Sequence, residues 1–359
     1  MLFDVRMINS SGIGTYIKSL LPTLCKTFKT TVLTDNADDL KAYHDDIETL
    51  VFDAPIYSLT EQAKYLKLPP ADVFFSPHYN VPILPIKAKA RVCTIHDVYH
   101  LAHFQQLSYA QKAYAKLVMN RAVVLSDRII TVSEFSKNEI IKHTGCAAEK
   151  ITVIHNGVKQ TALLQSRNEV CNKYHLPEKY FLYVGNVKPH KNLKVFLEAY
   201  LLLDKNITDE YKIVIAGKKE GFITADEGLF RLIENSEKLK KNTLFTGFVH
   251  NDDMDTLYAA AALLVFPSLY EGFGLPPLEA MLNNCPVISS EIPSLKEVCG
   301  NASTFFNPLD KEELAFKISE LLTDQGLRQE LISRGRQHIK QFTWRASTDK
   351  HVQLFKELL

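Results

Sequence analysis

Several features are missing from this 359-residue sequence, and each absence excludes a class of protein. No apolar stretch reaches the roughly 18 residues that a membrane-spanning helix needs, and no charged segment followed by an apolar run marks a signal peptide at the N-terminus. The six cysteines form no CxxC pair, which favours reduced, buried thiols in a cytoplasmic protein. The net charge of +1 implies no polyanionic partner, so we expect no binding to nucleic acid.

The residues that are present describe an ordinary globular protein, with 46% hydrophobic and 23% charged residues. At this length, two domains are expected rather than one. Short β-rich runs alternate with helical patterns along the chain, which predicts an α/β fold with parallel sheets and helices on both faces. The alternation begins again after an irregular polar segment. We therefore predict two Rossmann-like domains, residues 1–160 and residues 161–342, facing across a cleft.

The stretch Leu263–Ser290 reads as a strand, a glycine loop, a helix and a second strand. Its first four residues are all apolar, as expected for a strand that is buried on both faces. Pro276 and Pro277 suit the first turn of a helix, where a missing N–H costs nothing. We expect Glu279 in that same first turn.

Two carboxylates and two glycines make this stretch a candidate active site. Glu271 follows the predicted strand, and Glu279 lies near the predicted start of the helix. Gly272 and Gly274 lie between them and allow backbone N–H groups to approach a ligand closely. Open α/β sheets bind their ligands at the carboxyl ends of the strands, which is where this loop is expected.

Two other patterns suggest sites that their context does not support. The segment Gly12–Gly14, expected between the first strand and the first helix, superficially indicates dinucleotide binding. However, Ile17 occupies the position where a GxGxxG motif needs its third glycine. The segment Asp253–Asp255 has the DxD form that can hold a divalent metal, but it opens a predicted helix, where the helix dipole favours acidic residues. We therefore expect no bound metal.

Six short motifs occur in the order typical of one protein family. They are GIGTY (Gly12–Tyr16), TIHD (Thr94–Asp97), TVSEFSK (Thr131–Lys137), HNGV (His155–Val158), VGNVKPHKNL (Val184–Leu193) and FPSLYEGFGLPPLEAM (Phe266–Met281). Together they resemble the group 1, or family 4, nucleotide-sugar glycosyltransferases, which are retaining enzymes of the GT-B fold. The resemblance covers nearly the whole chain, and its last motif carries the paired glutamates Glu271 and Glu279.

The resemblance implies a nucleotide-sugar donor site in the C-terminal domain. Glu271 is expected to contact the hydroxyls of the donor sugar and to help stabilise the reacting centre. Glu279 is expected to accept hydrogen bonds from the ribose hydroxyls. The backbone expected over the sugar and the diphosphate belongs to Gly272, Phe273, Gly274 and Leu275.

Lys191 is the residue expected to meet the diphosphate, because a fixed cation stabilises the negative charge on a departing nucleoside diphosphate. Many relatives carry an arginine five residues earlier, where this sequence has Asn186. We keep Asn186 as a donor-binding candidate. Lys188 and His190 are candidates for the second phosphate contact that the arginine provides elsewhere.

The N-terminal domain is expected to bind the acceptor. The resemblance places Gly14 near the donor phosphates or the acceptor, with a purely structural tight turn as the alternative. It places His96 beside the transferred sugar, where it either bonds a sugar hydroxyl or positions the acceptor; a structural histidine is the alternative. The final helix, residues 343–359, is expected to pack back on the N-terminal domain.

The reaction implied is a transfer with retention of configuration that needs no metal and no cofactor. No carboxylate of the N-terminal half is an obvious nucleophile, which favours displacement on one face. The similarity to bacterial mannosyl- and rhamnosyltransferases of surface polysaccharides favours GDP-mannose as the donor and a saccharide or lipid-linked saccharide as the acceptor. The alternatives are a UDP- or dTDP-sugar donor, a non-catalytic sugar-nucleotide-binding protein, and a GT-B epimerase or phosphorylase.

One helical stretch bears on where the enzyme acts. The segment Tyr109–Arg121 carries Lys112, Lys116 and two tyrosines, and relatives that use lipid-linked acceptors dock such faces on membranes. We favour a solvated helix with buried tyrosines. Peripheral contact with the inner face of the cell membrane is the alternative.

Overall fold

The chain folds into two compact units. The computed structural model describes residues 1–41, 43, 47–103, 109–159, 166–217 and 227–359. The N-terminal unit comprises Met1–Gly157 and Phe342–Leu359, and the C-terminal unit comprises Val158–Gln341. The predicted boundary after residue 160 falls in a segment outside the described residues, close to the point where the first unit ends.

A parallel sheet forms the centre of the N-terminal unit, with the strand order β3-β2-β1-β4-β5-β6-β7. Its strands are β1 (Leu2–Asp4), β2 (Thr31–Thr34), β3 (Glu48–Val51), β4 (Ala71–Ser76), β5 (Ala88–Ile95), β6 (Arg128–Thr131) and β7 (Ile151–Val153). Its first five helices are α1 (Ser11–Thr27), α2 (Leu59–Tyr65), α3 (Tyr99–Ala102), α4 (Tyr109–Leu125) and α5 (Glu134–Thr144).

The C-terminal unit is built on a second parallel sheet, with the order β10-β9-β8-β11-β12-β13. Its strands are β8 (Tyr180–Val184), β9 (Lys212–Ala216), β10 (Thr243–Gly247), β11 (Leu263–Phe266), β12 (Val287–Ser290) and β13 (Thr304–Phe306). Its helices are α6 (Arg167–Lys173), α7 (Leu193–Leu202), α8 (Lys205–Glu210), α9 (Glu227–Glu234), α10 (Glu237–Asn242), α11 (Asn251–Ala260), α12 (Leu275–Leu282), α13 (Pro293–Cys299), α14 (Lys311–Thr323) and α15 (Gln325–His338). The central strands β8 and β11 are neighbours, so their carboxyl ends open at the same place.

The last helix, α16 (Trp344–Lys356), belongs to the N-terminal unit and packs against α1. Its residues Leu354 and Phe355 are part of the core that lies under β1 and β4. The buried His351 accepts a hydrogen bond at Nε2 from the Tyr16 hydroxyl of α1, 2.6 Å away. Apolar burial and a buried hydrogen bond therefore both anchor the chain terminus to this unit.

The predicted α/β class with two parallel sheets is confirmed, but some elements differ from expectation. The edge strand β3 was not predicted, because its side chains are exposed or half-buried and leave no apolar pattern. Helix α1 begins at Ser11, so Gly12–Gly14 lie inside the helix, and the prediction that they lie between the first strand and the first helix is wrong. Two of the first four residues of this helix are glycines, whose low helix propensity gives no sign of a helical turn in the sequence.

Candidate active site

The loops that follow β8 and β11 are joined at the carboxyl edge of the C-terminal sheet. The Leu269 N–H donates to the His190 carbonyl oxygen at 2.8 Å. The Asn192 side-chain amide donates to the carbonyl oxygens of Pro267 at 3.1 Å and Pro308 at 2.8 Å. Asn192 also adopts a left-handed backbone, with φ +54°, at the start of α7. These bonds fix the positions of the two loops that carry the predicted donor-binding residues.

Lys191 and Glu271 meet where the two loops join. The Lys191 ammonium lies 2.6 Å from Oε1 of Glu271, and 23% of the lysine side chain and 12% of the glutamate side chain are exposed. The ammonium also lies 5.9 Å from the centre of the Phe266 ring. The structure thus brings together two predicted site residues that are 80 positions apart in sequence. A partly exposed pair of this kind can exchange its internal bond for bonds to a ligand.

Gly274 shapes the start of helix α12. Its φ of +101° is a conformation that side chains rarely adopt, and a Cβ there would lie 2.6 Å from Cδ2 of Leu295. The helix begins at the next residue, and Pro276 and Pro277 occupy its first turn as predicted. The chain therefore turns sharply between Glu271 and the helix.

Glu279 lies just beyond the first turn of α12 and not within it as predicted, because the helix begins at Leu275 and its first turn holds no acidic residue. Its Oε2 accepts a hydrogen bond from the Tyr258 hydroxyl at 2.7 Å. Burial raises the pKa of the Glu279 carboxyl, the Tyr258 hydrogen bond opposes that rise, and the charge of Asp255 adds to it. Glu279 is thus held by a neighbouring helix side chain as well as by its place in α12.

The other predicted residues of this site lie in the same two loops. Asn186 is half-buried in the loop after β8, and Lys188 immediately precedes the short 3-10 turn Pro189–Lys191. Gly272 and Phe273 are buried beside Gly274 in the loop after β11. The predicted donor residues of the C-terminal unit therefore converge, except that Glu279 is displaced from the helix start.

A glycine that sequence reasoning missed supports the same edge. A Cβ on Gly217, which follows β9 with φ +155°, would lie 2.2 Å from the carbonyl oxygen of Gly185. The Gly217 N–H donates to the Gly247 carbonyl oxygen at 3.0 Å. Only a residue without a side chain fits between these strand ends. Its signal in the sequence is a glycine directly after a buried strand.

The DxD segment is used for internal bonds. Oδ2 of Asp253 accepts from the Lys173 ammonium at 2.7 Å and from the Tyr174 hydroxyl at 2.6 Å. Asp255 accepts from the Asn283 amide at 2.9 Å. Among the described residues, no group of three or more His, Cys, Asp or Glu side chains could hold a metal ion.

Two predicted site residues, Gly14 and His96, belong to the N-terminal unit. Gly14 lies inside α1, where a Cβ would come within 2.4 Å of the Ile8 carbonyl oxygen, so close backbone packing requires glycine there. His96 follows β5 and is half-buried, with its ring edge-on to Tyr16 at 5.0 Å between centroids. Donor contact by Gly14 stays a prediction.

The protonation of His96 follows from its hydrogen bond. Its Nε2 lies 2.9 Å from the Pro77 carbonyl oxygen, which can only accept, so Nε2 carries the proton and Nδ1 presents a lone pair. Burial lowers the pKa of His96, an effect that the Pro77 carbonyl and Asp97 partly oppose. The ring is therefore neutral at pH 7 and can accept a hydrogen bond from a hydroxyl group.

The predicted helical stretch Tyr109–Arg121 is confirmed, because it lies within helix α4 and begins at the same residue. The side chains of Tyr109 and Tyr114, which we expected to be buried, lie outside the described part of the structure. Farther along the helix, Leu117 and Val124 are 52% and 68% exposed. No helix in the parts of the chain that the structure describes is both long and apolar enough to cross a bilayer.

Comparison with known proteins identifies the family. Residues 10–161 match the family described as Glycosyltransferase Family 4, and residues 168–338 match the one described as Glycosyl transferases group 1. O-antigen chain mannosyltransferase B of Escherichia coli is 32% identical over 279 residues, which cover 77% of this chain and 72% of the relative. The chain belongs to the group 1 glycosyl transferases. It is therefore a glycosyltransferase, as the six motifs predicted.

Other relatives of this glycosyltransferase are longer or more distant. The serotype-specific mannosyltransferase WbdA of Escherichia coli is 30% identical over 275 residues, and the match covers 75% of this chain but only 33% of WbdA. The sucrose-phosphate synthase of Thermosynechococcus elongatus aligns with a TM-score of 0.79 and 17% identity over 99% of this chain and 98% of that one. HepE of Anabaena, in a complex with UDP-glucose, aligns with 0.77 and 18% over 99% of both chains. These two likenesses confirm the fold.

Proposed function

We propose that this glycosyltransferase moves mannose from GDP-mannose to a saccharide or lipid-linked saccharide acceptor in the synthesis of a bacterial surface polysaccharide. The observation that carries the proposal is the Lys191–Glu271 pair, which joins a cation and a carboxylate at the carboxyl ends of β8 and β11. The mannose donor is supported by relatives whose names describe them as O-antigen and serotype-specific mannosyltransferases. A UDP- or dTDP-sugar is the alternative donor.

The two members of the pair have complementary roles in this proposal. Lys191 holds Oε1 of Glu271, so Oε2 is the oxygen proposed to accept a hydroxyl of the donor sugar. The Lys191 ammonium then stabilises the negative charge that grows on the leaving diphosphate. Glu279 accepts the ribose hydroxyls, and the backbone between Gly272 and Leu275 lies along the sugar and the diphosphate. Asn186 and the neighbouring Lys188 supply the second contact to the phosphates.

The proposed chemistry is a displacement on one face of the sugar. The bond between C1 and the diphosphate oxygen breaks and its electron pair stays with the diphosphate. A bond between C1 and the acceptor oxygen forms on the same face, and the acceptor proton passes to the departing phosphate oxygen. Configuration is retained, and His96 accepts a hydrogen bond from a hydroxyl of the transferred sugar through Nδ1. A trapped glycosyl-enzyme adduct would contradict this mechanism, and proton NMR of the product anomer tests retention.

We further propose that the reaction needs no metal ion and no cofactor. Lys191 supplies positive charge beside the leaving group, and the carboxylates of the DxD segment are engaged by Lys173, Tyr174 and Asn283. Turnover of the donor is expected to be unchanged by EDTA. Activity that is lost in EDTA and restored by Mg²⁺ would refute this.

The decisive experiment measures hydrolysis of GDP-mannose, UDP-glucose and dTDP-rhamnose by the wild type and by Glu271→Ala. We expect hydrolysis of GDP-mannose by the wild type and a loss of at least a hundredfold in the variant, the range seen when a charge-stabilising group is removed. If the wild type turns over UDP-glucose or dTDP-rhamnose but not GDP-mannose, the donor is the UDP- or dTDP-sugar and not GDP-mannose. A wild type that turns over none of the three would refute the proposal and favour a non-catalytic binding protein, and interconversion of donor sugars would favour an epimerase.

The sequence favours a solvated α4, but the exposure of Leu117 and Val124 leads us to propose the alternative, that the reaction takes place at the surface of an anionic membrane. On α4, Leu117 and Val124 lie two helical turns apart on one face, with Lys116 and Arg121 beside them. Exposed apolar side chains flanked by basic ones are the pattern of an interfacial helix. Cosedimentation with vesicles that contain phosphatidylglycerol should exceed that with neutral phosphatidylcholine vesicles, and the double variant Leu117→Ser, Val124→Ser should abolish the difference. Equal sedimentation with both kinds of vesicle would exclude this surface.

A further inference from the structure

Three aromatic rings form a cluster in the N-terminal unit that the proposed mechanism does not use. The ring of Tyr57 lies 5.7 Å from that of His78 and 6.2 Å from that of Tyr79, and the last two rings are 5.1 Å apart. Tyr57 is 42% exposed, Tyr79 is half-buried and His78 is buried. The cluster therefore combines one exposed aromatic side chain, Tyr57, with a partly buried and a buried one.

Tyr57 holds a strained backbone to reach this position. Its φ of +70° lies in the left-handed region, which is a genuine outlier for a bulky residue. Its N–H donates to Oε2 of Glu61 at 2.8 Å, and Glu61 is completely buried. A buried carboxylate thus fixes the conformation that turns this tyrosine outward. Strain of this kind persists where the surrounding structure enforces it, and it clusters at ligand-binding sites.

The same carboxylate holds the loop that carries the other two rings. Oε1 of Glu61 accepts from the Asn80 amide at 2.7 Å, and the Asn80 N–H donates to Nδ1 of His78 at 3.0 Å. The Ser76 hydroxyl contacts the carbonyl oxygens of His78 and Asn80, both at 2.8 Å. Glu61 therefore connects two chain segments, and all three rings have fixed positions.

His78 offers this cluster a hydrogen-bond donor. Because Nδ1 accepts from a backbone N–H, the single proton of the neutral ring is on Nε2. Burial lowers the pKa of His78 to about 4, and the charge of Asp4 opposes that effect only in part, so the ring is neutral at pH 7. Within the described residues, Nε2 of His78 makes no hydrogen bond.

The cluster lies beside the histidine assigned to the transferred sugar. Pro77 precedes His78 in the chain, and the Pro77 carbonyl oxygen accepts the hydrogen bond from Nε2 of His96. A saccharide on the cluster would therefore lie next to His96. An aromatic face with a few fixed polar groups is the usual construction of a small-molecule site, and the C–H face of a pyranose is apolar enough to pack on such a ring.

We propose that Tyr57, Tyr79 and His78 bind the terminal pyranose of the acceptor saccharide, with the tyrosine rings against its C–H face and Nε2 of His78 donating to one of its hydroxyls. The term acceptor rests on the proposed function. The saccharide site itself does not, because it requires no donor and no transfer.

The first test measures saccharide binding alone. Saturation-transfer NMR with methyl α-D-mannopyranoside, and with the corresponding glucoside, galactoside and rhamnoside, should show contact with at least one of these pyranosides. Tyr57→Ala should remove the signal and Tyr57→Phe should keep it, because the ring provides the contact. Tyr57→Gly should also remove it although glycine relieves the strained backbone. Leu59→Ala is the matched control, since Leu59 is 90% exposed two residues away.

A second variant separates the loop from the donor group. In His78→Asn, the side-chain oxygen can still accept from the Asn80 N–H, but the Nε2 proton is lost. We expect this variant and Tyr57→Ala to raise the acceptor KM about tenfold, which is the effect of losing one good contact. Hydrolysis of GDP-mannose in the absence of acceptor should stay within twofold of the wild type.

The possible results distinguish this site from the proposed function. Pyranoside binding that is equal in the wild type and Tyr57→Ala, or absent in the wild type, overturns the site. So does an unchanged acceptor KM in both variants. Failure of the wild type to turn over any donor overturns the proposed function and leaves the NMR result standing as the test of the site.

Discussion

In the C-terminal unit, the carboxyl ends of β8 and β11 carry the Lys191–Glu271 pair, and both side chains are partly exposed. In the N-terminal unit, the charges near the end of β1 are almost completely buried, and they bind each other. A partly exposed ion pair loses little free energy when its members bind other partners. Separating a buried pair costs several kcal/mol, because it leaves charges in the interior without partners. The difference teaches that charges at the ends of parallel strands can serve two purposes: the exposed pair fits the donor-binding role that we propose for it, whereas the buried charges are structural and hold the loop of the aromatic cluster in place.

The buried network of the N-terminal unit is centred on Arg6. Its guanidinium bonds both oxygens of Asp4, at 2.9 Å and 2.6 Å, and Oε1 of Glu61 at 2.6 Å. Burial alone would lower the pKa of Arg6, but Asp4, Tyr65 and Glu61 raise it overall. The arginine therefore remains charged, and it stabilises the carboxylate that fixes the aromatic cluster.

The largest effect is expected from breaking this network. Arg6→Met leaves two carboxylates buried without their cation and should lower the free energy of unfolding by about 3–5 kcal/mol. Urea unfolding of the full chain measures the change. Lys205→Ala is the matched control, because it breaks the exposed pair with Asp209 and should alter the transition little. If Arg6→Met unfolds at the wild-type urea concentration, the N-terminal charges do not have the structural role assigned to them.

The next effect concerns the C-terminal edge and appears in catalysis instead of stability. Lys191→Met should reduce kcat for GDP-mannose about 100- to 1,000-fold, because in the proposed mechanism its charge stabilises the leaving diphosphate. The unfolding transition should hardly change, since the Lys191–Glu271 pair is partly exposed.

Lys188→Met is the control in the same loop, and it should reduce kcat much less. If Lys188→Met proves the more damaging variant, Lys188 and not Lys191 meets the leaving group. A large loss of stability in Lys191→Met would instead show that the Lys191–Glu271 pair is structural, like the buried charges of the N-terminal unit.

Much of the fold could be predicted because buried parallel strands have a plain signature. Strand β11 is apolar over its whole length, and its predicted bounds, the first four residues of Leu263–Ser290, agree with the structure at both ends. The edge strand β3 has no buried face and gives no such signal. Helix α12 begins close to the predicted position. Its start at Leu275, one residue before Pro276, is enough to leave Glu279 outside the first turn.

The candidate site was predictable in its residues but not in its bonds. Motifs indicated Lys191 and Glu271 separately, and only the fold shows that they pair across 80 positions. The close approach of Gly217 to Gly185 depends on how two strand ends pack, which no local pattern encodes. The left-handed backbone of Tyr57 is held by Glu61, four residues later, and the fold shows that Arg6 and Asn80 fix that carboxylate in the interior.

A smaller effect is expected at the glycine that supports the C-terminal edge. Gly217→Ala combines a left-handed φ with a contact of 2.2 Å to the Gly185 carbonyl oxygen, and it should lower the free energy of unfolding by about 3 kcal/mol. Because Gly185 opens the loop that carries Lys191, the KM for GDP-mannose should rise as well. Both are measured on the full chain, by urea unfolding and by initial rates.

Gly247→Ala separates strain from crowding at the same edge. Gly247 has φ +70° but no atom within 4 Å of the added Cβ, so only the backbone strain of about 1 kcal/mol remains. Equal losses of stability in the two variants would show that crowding against Gly185 is not what requires glycine at position 217.

The smallest effect is a shift in pH dependence at Glu279. Its pKa is already raised by burial, so as the pH falls it is protonated earlier than an ordinary glutamate, and the bonds that we propose between its carboxylate and the ribose are lost with the charge. Tyr258→Phe removes the hydrogen bond that favours the charged form. The pKa should rise further, and the pH at which half of the GDP affinity is lost should move upward by about one unit. Calorimetric titration with GDP across pH 5–9 measures this midpoint.

Tyr180→Phe is the control, because its hydroxyl donates to the Leu257 carbonyl and not to Glu279. If the midpoint moves equally in both variants, the shift reports a general loosening of the fold. If it does not move in Tyr258→Phe, Glu279 does not hold the ribose as a carboxylate.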